Sequence, residues 1–240
     1  MGRLVLVRHG KSIWNRENRF TGWVDVDLTP EGEEEARRAG RILRARGFQF
    51  NACFSSYLKR AIKTGILILE ELDQLHIPHL KDWRFNERHY GGLTGRNKDE
   101  VRRELGEEKF KLYRRSYDVP PPPIPLDSEW HPRFDPKYSH LPVAILPSTE
   151  SLKDNQRRAM EAFYSLIAPR LVEGEDLLLT AHGNTIRGIV KALEGISDKD
   201  IVNFEVATGV PRVYEFDNNL RILSVRVLEE CNRPATVSTF

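Results

Sequence analysis

Cysteine is scarce in this sequence: Cys53 and Cys231 are the only two among 240 residues. Two cysteines cannot build a disulfide framework, and no pair of Cys or His residues has the spacing of a zinc site. Net charge is also nearly absent, since 37 basic and 35 acidic side chains leave a formal charge of +2. This balance argues against a general binder of nucleic acids or of membrane surfaces.

Long apolar runs and targeting signals are missing as well. No stretch approaches the ~18 consecutive apolar residues that a transmembrane helix needs, and the N-terminal residues lack the pattern of a signal peptide. The sequence contains no GxxxxGKS/T or GxGxxG loop for nucleotides and no GxSxG nucleophile elbow. We therefore expect a cytoplasmic enzyme, without nucleic-acid or membrane partners, that does not act through those motifs.

Short apolar runs alternate with segments of helical periodicity. The runs at 4–7, 52–55 and 176–181 are largely apolar, as is typical of strands buried on both faces of a parallel sheet. Helices are predicted from Thr29-Pro30 to about Gly47, over 58–72, 98–116 and 151–172, and from the turn at 182–184 to about Leu193; a hairpin is predicted over 212–216 and 221–228. This order predicts an α/β protein, a three-layer α/β/α sandwich around a mostly parallel central sheet, in a single domain over residues 1–240.

One segment differs from the rest in composition. Residues 117–149 contain nine of the 14 prolines, including four in a row from Pro120 to Pro123. Such a segment is extended or irregular, and we interpret it as an insertion within the domain. Two roles stay open for it: a mostly solvated excursion, or a lid or rim beside an enzyme's cleft.

Two histidines directly follow two of the predicted strands. His9 comes after the first strand and His182 after the strand at 176–181, each with a glycine as the next residue. Ligands bind at the carboxyl ends of strands in an open α/β sheet. One strand-end histidine is commonly bonded to a nearby carbonyl, but two equivalent ones favour a functional site. Gly10 and Gly183 are expected to let the backbone approach a ligand closely.

Arginines accompany these histidines. Arg8 precedes His9, and Arg60 lies at the start of the helix after the second strand. Arginine matches phosphate oxygens with a planar fork, and two cations in one cleft repel each other unless an anion lies between them. A dianion site is therefore predicted. No metal is expected, because no nearby carboxylate completes a ligand set and arginines oppose a cation. The other histidines considered, interpreted as surface residues, are His76, His79, His131 and His140.

This combination favours metal-free phosphoryl transfer. A neutral histidine nitrogen attacks phosphorus and forms a phosphohistidine, and the ordinary pKa of histidine, ~6.5, leaves much of it neutral near pH 7. Arginines offset the charge of the transferring oxygens. The leaving oxygen also needs a proton donor. Glu87 is the candidate, although composition alone does not distinguish it from other carboxylates.

Five blocks of the sequence resemble those of one family. Residues 4–15, LVLVRHGKSIWN, resemble the RHG motif of the histidine phosphatase superfamily. The blocks NRFTGW at 18–23, NERHYG at 86–91, AHGN at 181–184 and TGVP at 208–211 narrow the resemblance to the cofactor-dependent phosphoglycerate mutases. An RHG triplet alone is weak evidence for the family, whereas five blocks in the right order are strong evidence. Together the blocks extend over nearly the whole chain.

The resemblance implies a role for each matching residue. His9 would carry the phosphoryl group, Arg8, Arg60 and His182 would surround it, and Glu87 would donate and accept the proton. The residues implied in binding the phosphoryl group and the substrate's carboxylate and second phosphate are Asn15, Thr21, Gly22, Tyr90, Lys98, Arg114, Arg115, Gly183 and Asn184.

A reaction is implied as well. Enzymes of this family are isomerases that interconvert 3-phosphoglycerate and 2-phosphoglycerate in glycolysis and gluconeogenesis. They are primed by 2,3-bisphosphoglycerate, need no metal and form homodimers or homotetramers. Two alternatives stay open within the superfamily, a bisphosphoglycerate mutase and a histidine-type phosphatase. A phosphate-binding scaffold, or a protein that docks SH3-like partners through its prolines, is a weaker alternative.

The sequence departs from the family pattern at two places. Lys11 stands two residues after His9, where the family usually has glutamate, so that a positive charge replaces a negative one. The C-terminal residues 231–240 do not resemble the small, flexible tails rich in lysine and alanine that often close over the site in this family.

Overall fold

The three apolar runs form the centre of one six-stranded sheet in the computed structural model, which describes residues 1–229. The strands are β1 (Gly2–Arg8), β2 (Ala52–Ser55), β3 (His79–Lys81), β4 (Asp176–Ala181), β5 (Arg212–Phe216) and β6 (Ile222–Val227). Their order is β3-β2-β4-β1-β5-β6. The first four are parallel, and β5 and β6 form an antiparallel hairpin at the edge. The predicted mostly parallel sheet is confirmed.

Helices cover both faces of this sheet. They are α1 (Ile13–Arg16), α2 (Pro30–Ala45), α3 (Lys59–Glu71), α4 (Lys98–Leu105), α5 (Glu107–Arg115), α6 (Leu152–Ala162), α7 (Ala168–Val172) and α8 (Gly183–Glu194). Leu4 and Leu6 of β1 pack with residues of α6, α7 and α8, whereas Val5 and Val7 pack with residues of α2 and α3. The three-layer α/β/α prediction is therefore correct, and it explains why β1 is apolar at consecutive positions.

Local signals place several helix boundaries. Thr29 caps α2, because its Oγ1 accepts a hydrogen bond of 3.0 Å from the Gly32 N–H, and Pro30 occupies the first helical position. The predicted helix over 98–116 is instead two helices, since Gly106 has φ +79° and ends α4. The predicted helix over 151–172 is interrupted by a π-helical turn at Phe163–Ile167. Strand β3 was not predicted, because its three residues form no apolar run.

The proline-rich segment 117–149 has no α-helix or strand, as its composition predicts, and forms 3-10 turns at Pro132–Phe134, Pro136–Tyr138 and Val143–Ile145. More than half of its residues are exposed, but it is not fully solvated, because Ile124, Tyr138 and Leu146 are buried. The prediction that His131 lies at the surface is wrong, because this residue is 1% exposed. His79, predicted to be a surface residue as well, is half-buried. His131 Nε2 lies 3.1 Å from Ser148 Oγ, and its Nδ1 accepts a hydrogen bond from the Arg133 N–H.

The C-terminal segment 231–240, with its departure from the family pattern and Cys231, lies outside the described residues. Within residues 1–229, no helix combines the length and the apolar character that crossing a bilayer would require.

Candidate active site

The two strand-end histidines meet at the carboxyl edge of the sheet. Strands β1 and β4 are parallel neighbours with Arg8 opposite Ala181, so that the next residues, His9 and His182, leave the sheet side by side. Their rings pack edge-to-face with 5.0 Å between centroids. Both side chains are buried. The prediction that they share one edge of the sheet is therefore confirmed.

A hydrogen bond defines which nitrogen of His9 is free. Its Nδ1 lies 2.7 Å from the Gly10 carbonyl oxygen. Because a carbonyl only accepts, Nδ1 carries the proton and Nε2 keeps its lone pair. Burial lowers the pKa of His9 well below the ordinary value, and the positive charges of Arg60 and Arg8 lower it further. His9 is thus a neutral imidazole with Nε2 available for attack on an electrophile.

The glycines beside the histidines serve the packing of the chain. A Cβ on Gly10 would stand 1.9 Å from the Gly32 carbonyl oxygen of α2, and the Gly10 N–H is bonded to Thr64 Oγ1. A Cβ on Gly183 would meet the Arg8 guanidinium at 3.3 Å. Gly10 is therefore required where the chain after β1 packs against Gly32 of α2, which is not the ligand contact that the sequence suggested.

Arg60 links the first turn of α3 to the cleft. Its Nη1 and Nη2 donate to the carbonyl oxygens of Val24 and Gly22, each at 2.8 Å. Burial lowers its pKa to about 10, so that the guanidinium still carries its charge at neutral pH. Arg8 Nη1 donates to the Val206 carbonyl at 2.7 Å. Both arginines are therefore fixed by backbone carbonyls rather than by carboxylates, and their charges remain available to an anion.

Glu87 is positioned by backbone groups from two segments. Its Oε1 accepts from the N–H of Arg88 at 2.8 Å and from the N–H of Asn184, in the first turn of α8, at 3.2 Å. Among residues 1–229, only the Asn184 N–H, at 3.5 Å, donates to Oε2. The side chain is 8% exposed. Oε1 is thus held in place and Oε2 is the oxygen available for proton transfer.

A buried ion pair supports the segment that carries Glu87. Arg158 of α6 forms two hydrogen bonds of 2.7 Å with the Glu150 carboxylate. The same guanidinium donates to the carbonyl oxygens of Arg84, Asn86 and Glu87 at 2.8 to 2.9 Å. A guanidinium with five donors in a rigid fork suits this task. Tyr138 of the proline-rich segment adds a 2.7 Å bond to Asn86 Nδ2.

These residues line one cleft of about 660 Å³, part of which is open to solvent. Thirteen of the residues singled out in the sequence line it: Arg8, His9, Asn15, Thr21, Gly22, Arg60, Glu87, Tyr90, Lys98, Arg114, Arg115, Gly183 and Asn184. His182 is not among the lining residues and packs against His9. No residue of 117–149 lines the cleft within the described chain. Its contact with the site is indirect, since Tyr138 bonds Asn86 beside Glu87 and Trp130 packs against Trp14 beside Asn15.

Four further residues line the cleft that sequence reasoning did not identify: Arg19, Arg187, Glu205 and Val206. Arg187 lies four residues after Gly183 on α8, and this helical spacing is a signal that would have found it. Arg19 stacks on Trp14 at 4.0 Å. Nothing in the local sequence distinguishes Glu205, which forms an ion pair with Arg115 at the cleft.

Positive charge dominates the lining, to which the described part of the chain contributes seven arginine or lysine side chains and two carboxylates. Burial lowers the pKa of Lys98, and Arg114 and Arg8 lower it further. The pKa of Arg115 is lowered by burial and then by Arg114. Cations held this closely repel one another, and a ligand with several negative charges relieves the repulsion. The cleft is therefore suited to a polyanion.

Side-chain amides and a phenol supply oriented donors. Asn15 Oδ1 accepts from the Ser12 N–H at 3.1 Å, which leaves its NH2 group for the cleft. Arg187 donates to Asn184 Oδ1 at 2.8 Å, and Asn184 Nδ2 donates to the Tyr90 hydroxyl at 2.9 Å. Burial alone would raise the pKa of Tyr90, but Arg88 and Lys98 outweigh burial and lower it. The Tyr90 hydroxyl accepts from Asn184, so its proton is available to a ligand.

Within residues 1–229, no cluster of three or more His, Cys, Asp or Glu side chains has the arrangement to hold a metal ion.

Comparisons with known proteins agree with this geometry. The sequence profile of the histidine phosphatase superfamily (branch 1) matches residues 4–226. The 2,3-bisphosphoglycerate-dependent phosphoglycerate mutase of Nautilia profundicola is 72% identical over 225 residues, which cover 94% of this chain and 98% of the relative.

Solved structures share the fold. YhfR of Bacillus stearothermophilus has a TM-score of 0.70 at 24% identity and covers 92% of this chain and 94% of its own. The mycobacterial glucosyl-3-phosphoglycerate phosphatase in complex with VO3 has a TM-score of 0.71 at 20% identity and covers 94% of this chain and 96% of its own. Because a profile that spans nearly the whole chain and a 72% identical relative agree, this chain belongs to the histidine phosphatase superfamily (branch 1).

Proposed function

We propose that this chain is a 2,3-bisphosphoglycerate-dependent phosphoglycerate mutase. It interconverts 3-phosphoglycerate and 2-phosphoglycerate through a phosphohistidine at His9. The observation that carries the proposal is the neutral His9, with its free Nε2, at a cleft lined by seven cationic side chains. The 72% identity to a protein of that name supports the substrate class.

The residues present fit 2,3-bisphosphoglycerate, whose two phosphates and carboxylate match the excess of cations in the cleft. When bound, this compound supplies the phosphoryl group that primes His9. Arg8 and Arg60 offset the charge of that group. Lys98, Arg114 and Arg115 bind the opposite end of the ligand. The remaining lining residues that we propose to contact the substrate are Asn15, Thr21, Gly22, Tyr90, Gly183 and Asn184.

Phosphoryl transfer then runs from the protein to a monophosphoglycerate. The free hydroxyl of the substrate attacks phosphorus, the bond between phosphorus and His9 Nε2 breaks, and Nε2 recovers its lone pair. Glu87 Oε2 accepts the hydroxyl proton in this step, and it returns the proton to the leaving oxygen when His9 is phosphorylated again. Because His9 retains its Nδ1–H bond to Gly10 throughout, its ring keeps one orientation for attack in both directions.

An assay coupled through enolase tests this function. The purified protein is primed with 2,3-bisphosphoglycerate, and formation of 2-phosphoglycerate from 3-phosphoglycerate is compared with release of inorganic phosphate, with and without a chelator. We expect transfer to exceed release and the chelator to have no effect. Release of phosphate in excess of 2-phosphoglycerate would instead identify a histidine-type phosphatase. In a parallel assay that supplies 1,3-bisphosphoglycerate as the phosphoryl donor, formation of 2,3-bisphosphoglycerate faster than that of 2-phosphoglycerate would identify a bisphosphoglycerate mutase.

We propose that the enzyme acts in the cytoplasm on free phosphoglycerates, as a homodimer or homotetramer and as a single domain over residues 1–240. Sedimentation of the full chain at micromolar concentration tests the oligomeric state.

Lys11 is expected to have no part in the reaction, although it stands two residues after His9. Its Nζ pairs with the exposed Glu31 carboxylate at 3.0 Å, and it does not line the cleft. We predict that Lys11→Gln changes kcat/KM by less than about twofold, because an exposed ion pair outside the cleft contributes little. Steady-state kinetics check this, with Lys98→Gln as the matched change inside the cleft. A large effect of Lys11→Gln would place Lys11 in the electrostatics of the site.

Glu205 is expected to weaken substrate binding. It pairs with Arg115 while its own side chain is 72% exposed, so it competes with the substrate's anionic groups for that guanidinium. We predict that Glu205→Gln lowers KM for 3-phosphoglycerate by about two- to fivefold, the range of an exposed ion pair, with little change in kcat. Glu104→Gln, which removes a carboxylate paired with Arg96 outside the cleft, is the control. An unchanged or raised KM in Glu205→Gln contradicts the competition.

A further inference from the structure

A buried serine contacts the histidine that packs against the proposed nucleophile. Ser56 Oγ lies 2.7 Å from His182 Nε2, and neither residue has any exposed surface. The contact follows from the sheet, because β2 and β4 are parallel neighbours with Ser55 opposite Thr180. Ser56 and His182 are therefore the residues that leave two adjacent strands at the same edge.

The other bonds of Ser56 indicate the direction of this hydrogen bond. The Leu58 N–H donates to Ser56 Oγ at 3.1 Å, which uses one acceptor position of the hydroxyl. In the described chain, His182 Nε2 is the only acceptor that Oγ contacts. A buried hydroxyl gives its proton to an acceptor where one is in reach. Ser56 is thus the donor, Nε2 is the acceptor, and the proton of the neutral His182 ring lies on Nδ1.

His182 is neutral in the resting protein. Burial lowers its pKa well below the ordinary value, and Arg60 and His9 lower it further. The ring therefore has a single N–H. Its Nδ1 is buried and has no hydrogen-bond partner among the described residues. An unpaired buried donor is unfavourable, and this cost is removed when a ligand supplies an acceptor.

We propose that Ser56 is a positioning residue that sets the tautomer of His182, so that Nδ1–H is the donor offered to the phosphoryl oxygens at His9. This inference rests on the proposed phosphoryl transfer. The His182 ring lies edge-to-face with His9 at 5.0 Å between centroids, close enough for one phosphoryl group to contact both. With the proton on Nε2 instead, Nδ1 would present a lone pair to an anion and repel it. In that arrangement the Ser56 hydroxyl would accept from Nε2–H and leave its own proton without an acceptor among the described residues, which makes it the less stable tautomer.

Nitrogen-15 NMR of the histidine rings in the resting, unphosphorylated protein tests the tautomer without any assay of activity. A His182→Gln sample assigns the His182 signals. We expect a protonated Nδ1 and an unprotonated Nε2 for His182. A protonated Nε2 in the wild-type protein overturns the proposal, whether or not the protein is a mutase, and a failure of the mutase assay leaves this result unaffected.

Ser56→Ala removes the donor and adds a kinetic readout. We expect the Nε2–H tautomer to appear in the spectrum. We also expect kcat to fall by about 10- to 100-fold with KM little changed, somewhat less than the ~10²–10³ for removal of an oxyanion donor outright, because part of the population keeps the active tautomer. A fall in kcat with an unchanged tautomer would mean that Ser56 acts through packing alone, and the proposal would be wrong.

The neighbouring serine provides a matched control. Ser55 is equally buried, ends β2, and lies 2.9 Å from Nε2 of another histidine, His79, which does not line the cleft. Ser55→Ala deletes the corresponding hydroxyl oxygen from the neighbouring residue at the end of β2. We expect it to leave kcat and the His182 tautomer unchanged. Equal losses in Ser55→Ala and Ser56→Ala would show that the effect belongs to strand stability and would overturn the assignment.

Discussion

His9→Asn is expected to abolish covalent labelling of the protein by radiolabelled 2,3-bisphosphoglycerate and to lower kcat by more than about 10⁴-fold, the scale on which loss of a catalytic nucleophile acts. Asparagine is chosen because its side-chain amide can still donate to the Gly10 carbonyl, as His9 Nδ1 does at 2.7 Å. The substitution therefore removes Nε2 while it keeps the bond that orients the residue. Labelling is measured after denaturation in alkali, where a phosphohistidine survives.

The buried His131 offers a control for the same substitution. Its ring contacts Ser148 and the Arg133 N–H, and it does not line the cleft. His131→Asn is expected to keep full labelling, although its free energy of unfolding falls. Wild-type labelling in His9→Asn would exclude His9 as the nucleophile and direct attention to another nitrogen.

The parts of the fold that depend on short-range patterns could be predicted from the sequence. A run such as 4–7, apolar at consecutive positions, is stable only where helices cover both faces of a strand, and β1 meets that condition. Thr29-Pro30 caps a helix by its own chemistry. The meeting of His9 and His182 follows from the same reasoning, since both follow parallel strands that proved to be neighbours.

Other features depend on contacts between distant segments. Glu87 is distinguished from other carboxylates by the N–H groups of Arg88 and Asn184 and by Arg158 behind it, and none of these contacts has a local pattern. Lys98, Arg114 and Arg115 lie in a stretch, 96–115, that contains eight basic and five acidic residues. Charge alone favours a solvated helix face there, and the family resemblance was needed to single them out.

The interpretation of His131 as a surface residue failed for a related reason. Proline-rich composition predicts irregular backbone, and that prediction was correct, but irregular backbone is not always solvated. Residues 117–149 fold back on the segment that carries Glu87, where Tyr138 binds Asn86 and Pro122 accepts a hydrogen bond of 2.7 Å from the Gly92 N–H. Burial in such a segment is decided by what it packs against, which composition does not record.

Glu87→Gln is expected to lower kcat by about 10²–10⁴-fold, the usual contribution of a general acid–base. The fold and the affinity for bisphosphoglycerate are expected to change little. Glutamine keeps Oε1, which accepts from the N–H groups of Arg88 and Asn184 at 2.8 and 3.2 Å. It replaces Oε2, the oxygen assigned to proton transfer, with an amide nitrogen that cannot accept a proton.

Glu205→Gln is the control that distinguishes loss of proton transfer from loss of a negative charge. Like Glu87→Gln, it changes a carboxylate to an amide in the same cleft. It is expected to alter KM and leave kcat nearly unchanged, whereas Glu87→Gln does the reverse. The decisive measurement is the single-turnover rate at which labelled phosphoenzyme loses its phosphoryl group to 3-phosphoglycerate. A rate in Glu87→Gln within a few-fold of wild type, about the effect of an exposed charge, would mean that the proton moves through another group. The position of Glu87 at the first turn of α8 would then be structural.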